Sequence, residues 1–517
     1  MAEAKKACLL LEAQRLRFDA GAELATDAAA DALFVRLRNA EHDHLKPRHK
    51  LPPMIPFGEG RAIIDNESTV FDIIKRIPKA ALLHSHVGAL ASRRWMVGAI
   101  KDEPHLWIAP LSTPTAVIPI FKFASEKPEK LENSGLPSES TSSGATDAAA
   151  FLTGWDDWIK AVDAFRDFDD SFESWILESL SCVDRSGDNE WTVWAHFSNC
   201  FRSDSGISGY APFFERIIRH VLESYYSMGI YHIEARATNF RLHNLSGVKH
   251  PVSETYRIIR TYLADFNTSL QPEQIPMSFK LIYSPLRNIS NEELKFCMDE
   301  CAALYREFPD VLVGFDLVGH EENGRSLAEF MPTIEEWKSQ ETNPILPPFF
   351  FHAGETSSVG SQSALNVFDA VALGTKRIGH GYSIARYMQA LAPSLQNICV
   401  EVCPLSNQIL RLCSNLSNHP LATLLQHNIP VAICSDDPGM FGYEGVDYDY
   451  YMVAIAFEFI TLKSLRVLVS NSIKYAEVDE TRREALDHAF QKEWKIFEKW
   501  LLNSSDKLVK KSYDLSK

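Results

Sequence analysis

No stretch of this 517-residue chain is apolar for long enough to cross a bilayer, and no cluster of Lys and Arg offsets its net charge of −16, from 52 basic and 68 acidic residues. Those two absences argue against an integral membrane protein, and against nucleic acid or an anionic membrane as partner. Paired cysteine spacing is missing as well. The nine cysteines are Cys8, Cys182, Cys200, Cys297, Cys301, Cys399, Cys403, Cys413 and Cys434. An odd count without pairs points to a reducing compartment. The opening apolar run, Ala7–Leu11, is cut off by Glu12 and Arg15 and is too short for a secretory segment. A cytoplasmic location is therefore expected, with secretion by a route not visible in the sequence as the alternative. There is no internal repeat.

What is present has the balance of an ordinary globular protein, 45% apolar and 23% charged. Residues Ala2 to Glu41 are rich in Ala, Leu, Glu and Arg, with Leu9, Leu16, Leu33 and Leu37 at helical spacing. Together with a Pro-rich break from Pro47 to Pro56 they make residues 1–69 an N-terminal extension and linker. That helix could serve a homodimer or pack on its own domain. His42-Asp43-His44 lies in this polar region and reads as solvated surface. An irregular insertion is expected at about 101–150, its stretch Lys127–Ala148 dominated by Ser, Glu, Pro and Gly. Residues 70–505 form the main domain and 506–517 a tail.

Eight strand-like runs are countable in the main domain: Ala80–His86, Ile230–Arg236, Ser278–Ser284, Leu312–Gly319, Phe349–Gly354, Arg377–Gly381, Asn397–Pro404 and Pro430–Asp437. Helix-period segments separate most of them, such as Asn291–Phe308 and Ser363–Leu373. Strands alternating with helices imply a parallel sheet, and eight such units closed on themselves make an α/β fold of the (β/α)₈ barrel type. An open doubly wound sheet would need a Gly-rich phosphate turn after the first strand. His84-Ser85-His86 stands there instead.

The chemistry sits at strand ends, which in a barrel converge on one face. His84 and His86 are two apart and share a side of their strand, which suits two ligands of one metal. His352 ends another run, and Ala353 and Gly354 let the chain turn so that Glu355 addresses the same cavity. Beside an apolar wall Glu355 would keep its proton and serve as an acid. In Gly379-His380-Gly381 the glycines permit close backbone approach. A fourth imidazole beside a metal-bound water is more useful as a base or orienter than as a ligand. Asp436 and Asp437 are costly at the end of an apolar run unless paired. A zinc ion would stabilise Asp436 as fourth ligand, leaving Asp437 to accept from substrate.

These motifs, with Val313-Gly314-Phe315-Asp316-Leu317-Val318-Gly319-His320-Glu321 and Glu401-Val402-Cys403-Pro404-Leu405-Ser406-Asn407-Gln408, resemble those of the adenosine deaminase family, collinearly from about Val70 to Trp500. The Phe-Asp-Leu-Val-Gly-His-Glu run and Asn471-Ser472-Ile473-Lys474-Tyr475 are most similar to its growth-factor-related branch. The resemblance implies one Zn²⁺ per subunit held by His84, His86, His352 and Asp436, and hydrolytic attack at C6 of a purine nucleoside. It assigns Glu355 to protonating N1, His380 to the water proton, Asp437 to N7, and the N–H of Gly319 to N3. It puts Trp191 and Trp194 in a stretch lining the ribose side, although core packing explains Trp194 equally well. Two features depart from the family. No acid follows the metal pair, where Val87, Gly88 and Ala89 stand, and the insertion holds no cysteine. Adenine, AMP or an N6-substituted purine are the alternative substrates, and a non-catalytic binding protein is the alternative class. A nucleotide site would call for converging cations, of which Arg93 and Arg94 are the nearby candidates, equally explained as a solvated helix start.

Overall fold

Strands buried on both faces have little polar surface to display, and the eight runs are short and mostly apolar for that reason. The computed structural model describes residues 26–113, 115–129, 157–168, 170–183, 189–238, 241–340 and 345–515. In chain order its strands are β1 (Ala80–His86), β2 (Leu106–Ser112), β3 (Val117–Phe123), β4 (Ile159–Lys160), β5 (Ile230–Ala237), β6 (Ser278–Tyr283), β7 (Leu312–Phe315), β8 (His352–Ala353), β9 (Arg377–His380), β10 (Cys399–Val402) and β11 (Val431–Ile433). Strands β1, β5, β6 and β7 pair in parallel in that order, and so do β11, β10, β9 and β8. Two parallel bridges join these half-sheets, Ser85 with Asp436 and Phe315 with Phe349. The sheet is thereby closed into the expected (β/α)₈ barrel, with all eight runs used.

Helix starts follow local chemistry. Ser290 with Glu293 and Ser326 with Glu329 form capping boxes at helices Asn291–Glu307 and Leu327–Ser339. In β5, His232, Glu234 and Arg236 recur every second residue and so share one face, yet the strand is buried throughout. The barrel interior is ionic at this level, and this positions the site.

Residues 1–25 lie outside the described residues. Asp27 caps a helix, Ala28–Leu45, that buries Leu33, Phe34 and Leu37. This helix packs on its own domain. The Glu41 carboxylate is the pin, accepting from Ser68 Oγ (2.7 Å), the N–H groups of Thr69 and Val70 (3.0 Å each) and Tyr451 Oη (2.8 Å). His42 is buried rather than solvated, 3.5 Å from Glu458. The helix turns it inward, which its polar neighbours concealed.

The insertion is not irregular at its start. β2 pairs antiparallel with β3 and with β4, and the apolar run Val117-Ile118-Pro119-Ile120-Phe121, with β-branched residues at 117, 118 and 120, is the reason. Residues 130–156, with most of the Ser-rich stretch, lie outside the described residues. The segment taken as a tail is also ordered, as a helix, Ser505–Leu515, whose Lys511 bonds the Ser68 carbonyl (3.3 Å) and Asp72 (2.5 Å). Among the described residues no helix is long and apolar enough to cross a membrane.

Candidate metal centre

Barrel closure is what assembles the site. Where β1 meets the end of β11, the Asp436 N–H donates to the His84 carbonyl and the His86 N–H to the Asp436 carbonyl, both at 3.2 Å. Asp436 reaches this pose with φ +60°, and His380 takes φ +59° at the end of β9. Two non-glycine residues in the left-handed region mark backbone held by its surroundings. The glycines matter for approach. A Cβ on Gly379 would lie 2.9 Å from the His84 ring and 3.2 Å from the His352 Cα.

The imidazoles of His84, His352 and His380 come together with ring centres 4.6–5.2 Å apart, and their nitrogens group with the Asp436 carboxylate within 4.8 Å. His86 joins through the same carboxylate. Its Nε2 is 3.1 Å from Asp436 Oδ1, against 3.2 Å for His84 Nε2, and it also groups with Asp437. Distance alone therefore brings six candidate donors together without choosing four.

Hydrogen-bond polarity separates them. His84 Nδ1 is 2.7 Å from Glu401 Oε2, and His352 Nδ1 is 2.6 Å from Asp316 Oδ2. An ionised carboxylate only accepts, so each Nδ1 carries the hydrogen and each Nε2 turns a lone pair inward. Burial alone would raise both carboxyls, yet Arg236 and Arg377 hold Glu401 well below its usual range, and His352 with Arg236 does the same for Asp316. Burial keeps His352 neutral, its pKa pushed down to about 4.

Charge gives a second test. Arg236 and Arg377 lie in the barrel interior with Glu234, Glu401, Asp316 and Asp436, all essentially inaccessible. Arg377 holds Glu234 at about 2 against the rise from burial, and Asp436 is held well below the usual range by His380 and His84. Two guanidinium groups thus face four carboxylates, leaving two negative charges uncompensated in a medium where that is costly. Asp436 Oδ1 and His84 Nε2 are buried without a hydrogen-bond partner. A divalent cation answers both the charge and the orphaned donors, so the residues present fit a metal.

The acids beyond the cluster behave differently. Burial, then the charges of Asp436 and Glu321, pushes Glu355 well above the carboxylate range. Burial and Asp436 do the same to Asp437. Glu321 fixes the turn that carries Glu355, accepting from the N–H groups of Gly354 (3.1 Å) and Glu355 (2.8 Å). Glu355 Oε1 faces His380 Nε2 at 3.5 Å.

The predicted substrate contacts stand further out. Gly319 follows β7 with φ +105°. Trp191 is 56% exposed, its ring against His320 with centres 5.4 Å apart. Trp194 is buried and stacks on His320 at 4.4 Å, so the core reading suits it. Neither Trp191 nor Gly319 joins the cluster. Arg93 is no solvated helix start. It is buried, 3.4 Å from Asp204, and donates to the carbonyls of Gly88 and Leu180. Sequence reading gave no role to Asp316, Glu401, Arg236, Arg377, Asn407 or His419. Lone acids inside otherwise apolar strands were the available signal.

Comparison with known proteins gives concordant findings. The family model described as adenosine deaminase matches residues 185–493, more than half of the chain. Adenosine deaminase 2 of Homo sapiens is 31% identical over 503 residues, covering 95% of this chain and 92% of that protein. Among solved structures, an arabidopsis N6-mAMP deaminase aligns with TM-score 0.54 and 16% identity over 81% of this chain and 99% of its own. An amidohydrolase from Burkhoderia ambifaria with bound Zn gives 0.52 and 16%, over 84% and 95%.

Proposed function

Because the chain belongs to the adenosine deaminase family, we propose that it is a zinc-dependent aminohydrolase converting adenosine, or a closely related 6-aminopurine nucleoside, to the inosine-type product and ammonia. The observation that carries this reading is the pairing of inward lone pairs on His84 and His352 with Asp436, opposite a carboxyl that burial keeps protonated. His84, His86, His352 and Asp436 would hold the ion. The ion would supply the Lewis acidity that lowers a water's pKa to about 7.

The chain's own groups do the rest. Glu355, protonated, donates to ring N1 as the C6 centre becomes tetrahedral, and the gain in basicity at N1 draws the proton across. Asp437, neutral by burial, offers a hydrogen to N7. His380, whose Nε2 faces Glu355 Oε1 at 3.5 Å, engages the attacking oxygen. The N–H of Gly319 is assigned to N3, and Trp191 to the sugar side of the mouth.

A nucleoside is preferred to a nucleotide. Arg93 is spent on Asp204 and two carbonyls, and Arg386 on the carbonyls of Thr356, Ser357 and Ser358. Neither is left for a phosphate, so of the pair Arg93 and Arg94 only the exposed Arg94 remains, without the converging cations a phosphate calls for. The acid that the family carries after the metal pair has a stand-in here. A Cβ on Gly88 would lie 3.9 Å from Asp204 Oδ2, and Asp204 is buried with its Oδ1 3.4 Å from the Arg93 guanidinium. We assign Asp204 to a sugar hydroxyl. The cytoplasmic reading is supported by eight free, buried cysteines among the described residues, with export as the alternative.

The test is zinc content together with a substrate panel of adenosine, 2′-deoxyadenosine, adenine, AMP and N6-methylated analogues, followed by loss of the adenosine absorbance band. Preference for nucleosides with one zinc per chain is expected. Bound zinc with no turnover of any purine would sink the enzyme reading, and a preference for AMP would sink the nucleoside assignment.

A further inference from the structure

We propose that Asn407 and His419 lock His380 in the tautomer bearing its hydrogen on Nε2, so that His380 serves the site as an N–H donor and not as a proton acceptor. The inference starts at a group whose polarity is fixed. The main-chain N–H of Leu421 lies 3.0 Å from His419 Nδ1 and can only donate. His419 Nδ1 is therefore an acceptor. His419 is buried, and burial pushes its pKa down to about 3, so the ring is neutral and its hydrogen sits on Nε2.

That hydrogen points at Asn407 Oδ1, 3.0 Å away. The amide oxygen is thereby committed as acceptor, which turns the NH₂ of Asn407 toward His380 Nδ1 at 3.1 Å. An NH₂ group only donates. His380 Nδ1 accepts, and its one hydrogen is left on Nε2. An imidazole whose Nδ1 accepts from an NH₂ carries a single hydrogen, so no second one is available.

The consequence is a reversal of polarity among neighbours. His84 and His352 face carboxylates through Nδ1 and present lone pairs, whereas His380, some 5 Å from both ring centres, presents an N–H. Its Nε2 is 3.5 Å from Glu355 Oε1 and 3.8 Å from Asp436 Oδ2, buried and without a hydrogen-bond partner. A nitrogen in that state cannot ligate a metal or take up a proton. It can hold the attacking oxygen and stabilise negative charge that develops there. Asn407 and His419 are positioning residues in this scheme, acting only through His380. Rigid packing supports it, with Tyr382 edge-on to His419 at 5.3 Å and His380 set by its left-handed backbone.

The role in catalysis rests on the aminohydrolase reading, but the tautomer does not. Two-bond ¹H–¹⁵N correlation spectra of ¹⁵N-histidine-labelled protein, metal-free and then zinc-loaded, report it directly, with His380→Gln to assign the signals. A protonated Nε2 and bare Nδ1 at His380 are expected in both samples. Asn407→Asp puts an acceptor where the NH₂ stood and should reverse the tautomer. Turnover should then fall on the order of 100-fold, with KM within about twofold and zinc retained. An Nδ1–H tautomer in the unaltered protein overturns the proposal, as does Asn407→Asp with unchanged turnover. If no purine is turned over while the tautomer is as stated, the activity reading falls and the relay stands.

Discussion

Replacing Asp316 by Asn changes one atom and should separate metal affinity from folding. The Asp316 Oδ1 accepts from the N–H groups of Leu317 (2.7 Å) and His352 (2.8 Å). Its Oδ2 accepts from His352 Nδ1 (2.6 Å) and Arg236 Nε (3.1 Å). An amide has one oxygen for these two pairs of donors. If the oxygen stays with the main chain, the NH₂ meets two N–H groups. His352 escapes by moving its hydrogen to Nε2, which removes the lone pair offered to the metal. Arg236 keeps Glu401 at 2.7 Å but loses its other carboxylate.

Two magnitudes follow. Losing one of the two carboxylate partners of the buried Arg236 guanidinium should cost the metal-free protein about 3 kcal/mol, at the low end for a broken buried pair because Glu401 and two main-chain carbonyls remain. Zinc affinity should fall by about 100-fold, the upper part of the range for disturbing a residue that orients a ligand. Urea unfolding of the metal-free proteins reads the first, and competition with a chromophoric chelator reads the second. A variant that binds zinc as tightly as the unaltered chain would refute the assignment of His352 Nε2 as ligand. Unchanged stability would refute the ionic account of the barrel interior.

Other outcomes are as definite. Glu355→Gln should retain zinc and lose turnover by a factor on the order of 100 or more; near-native rates would mean the proton comes from elsewhere. His352→Ala should strip the metal, read by elemental analysis after dialysis. Gly379→Ala places a methyl 2.9 Å from the His84 ring and should lower both zinc affinity and stability, the latter by about 1–3 kcal/mol in urea. His419, held neutral by burial with a pKa of about 3 against 6.5 unfolded, makes the folded chain bind fewer protons than the unfolded one between those values. Its contribution is present above pH 6.5 and lost on acidification. The stability advantage of the unaltered metal-free protein over His419→Gln should therefore shrink by about 1.4 kcal/mol per pH unit as pH falls from 6.5 toward 3. A pH-independent difference would contradict the buried neutral state.

Much of the architecture was legible because its physics is local. A strand buried on both faces is mostly apolar, so eight short apolar runs with helices between them declare a parallel barrel, and the polar residues at their ends stand on one face of it. Asp436 stood out because an acid closing an apolar run demands a partner. Arg93 and His42 misled for the converse reason. Their neighbours in sequence are polar, and burial beside Asp204 or Glu458 is a property of distant segments. Asp316 and Glu401 were in plain view inside quoted motifs, yet nothing local says that an acid in one strand meets an imidazole in another.

The order of apolar and polar residues along the chain was enough to determine the barrel and the strand ends at which the candidate side chains stand, since periodicity and strand burial are decided within a few residues. Which histidines offer lone pairs and which offers a hydrogen was decided only by the closed fold. That choice depends on whether each Nδ1 meets a carboxylate or an amide, and those partners come from other strands and loops, 27 to 317 positions away.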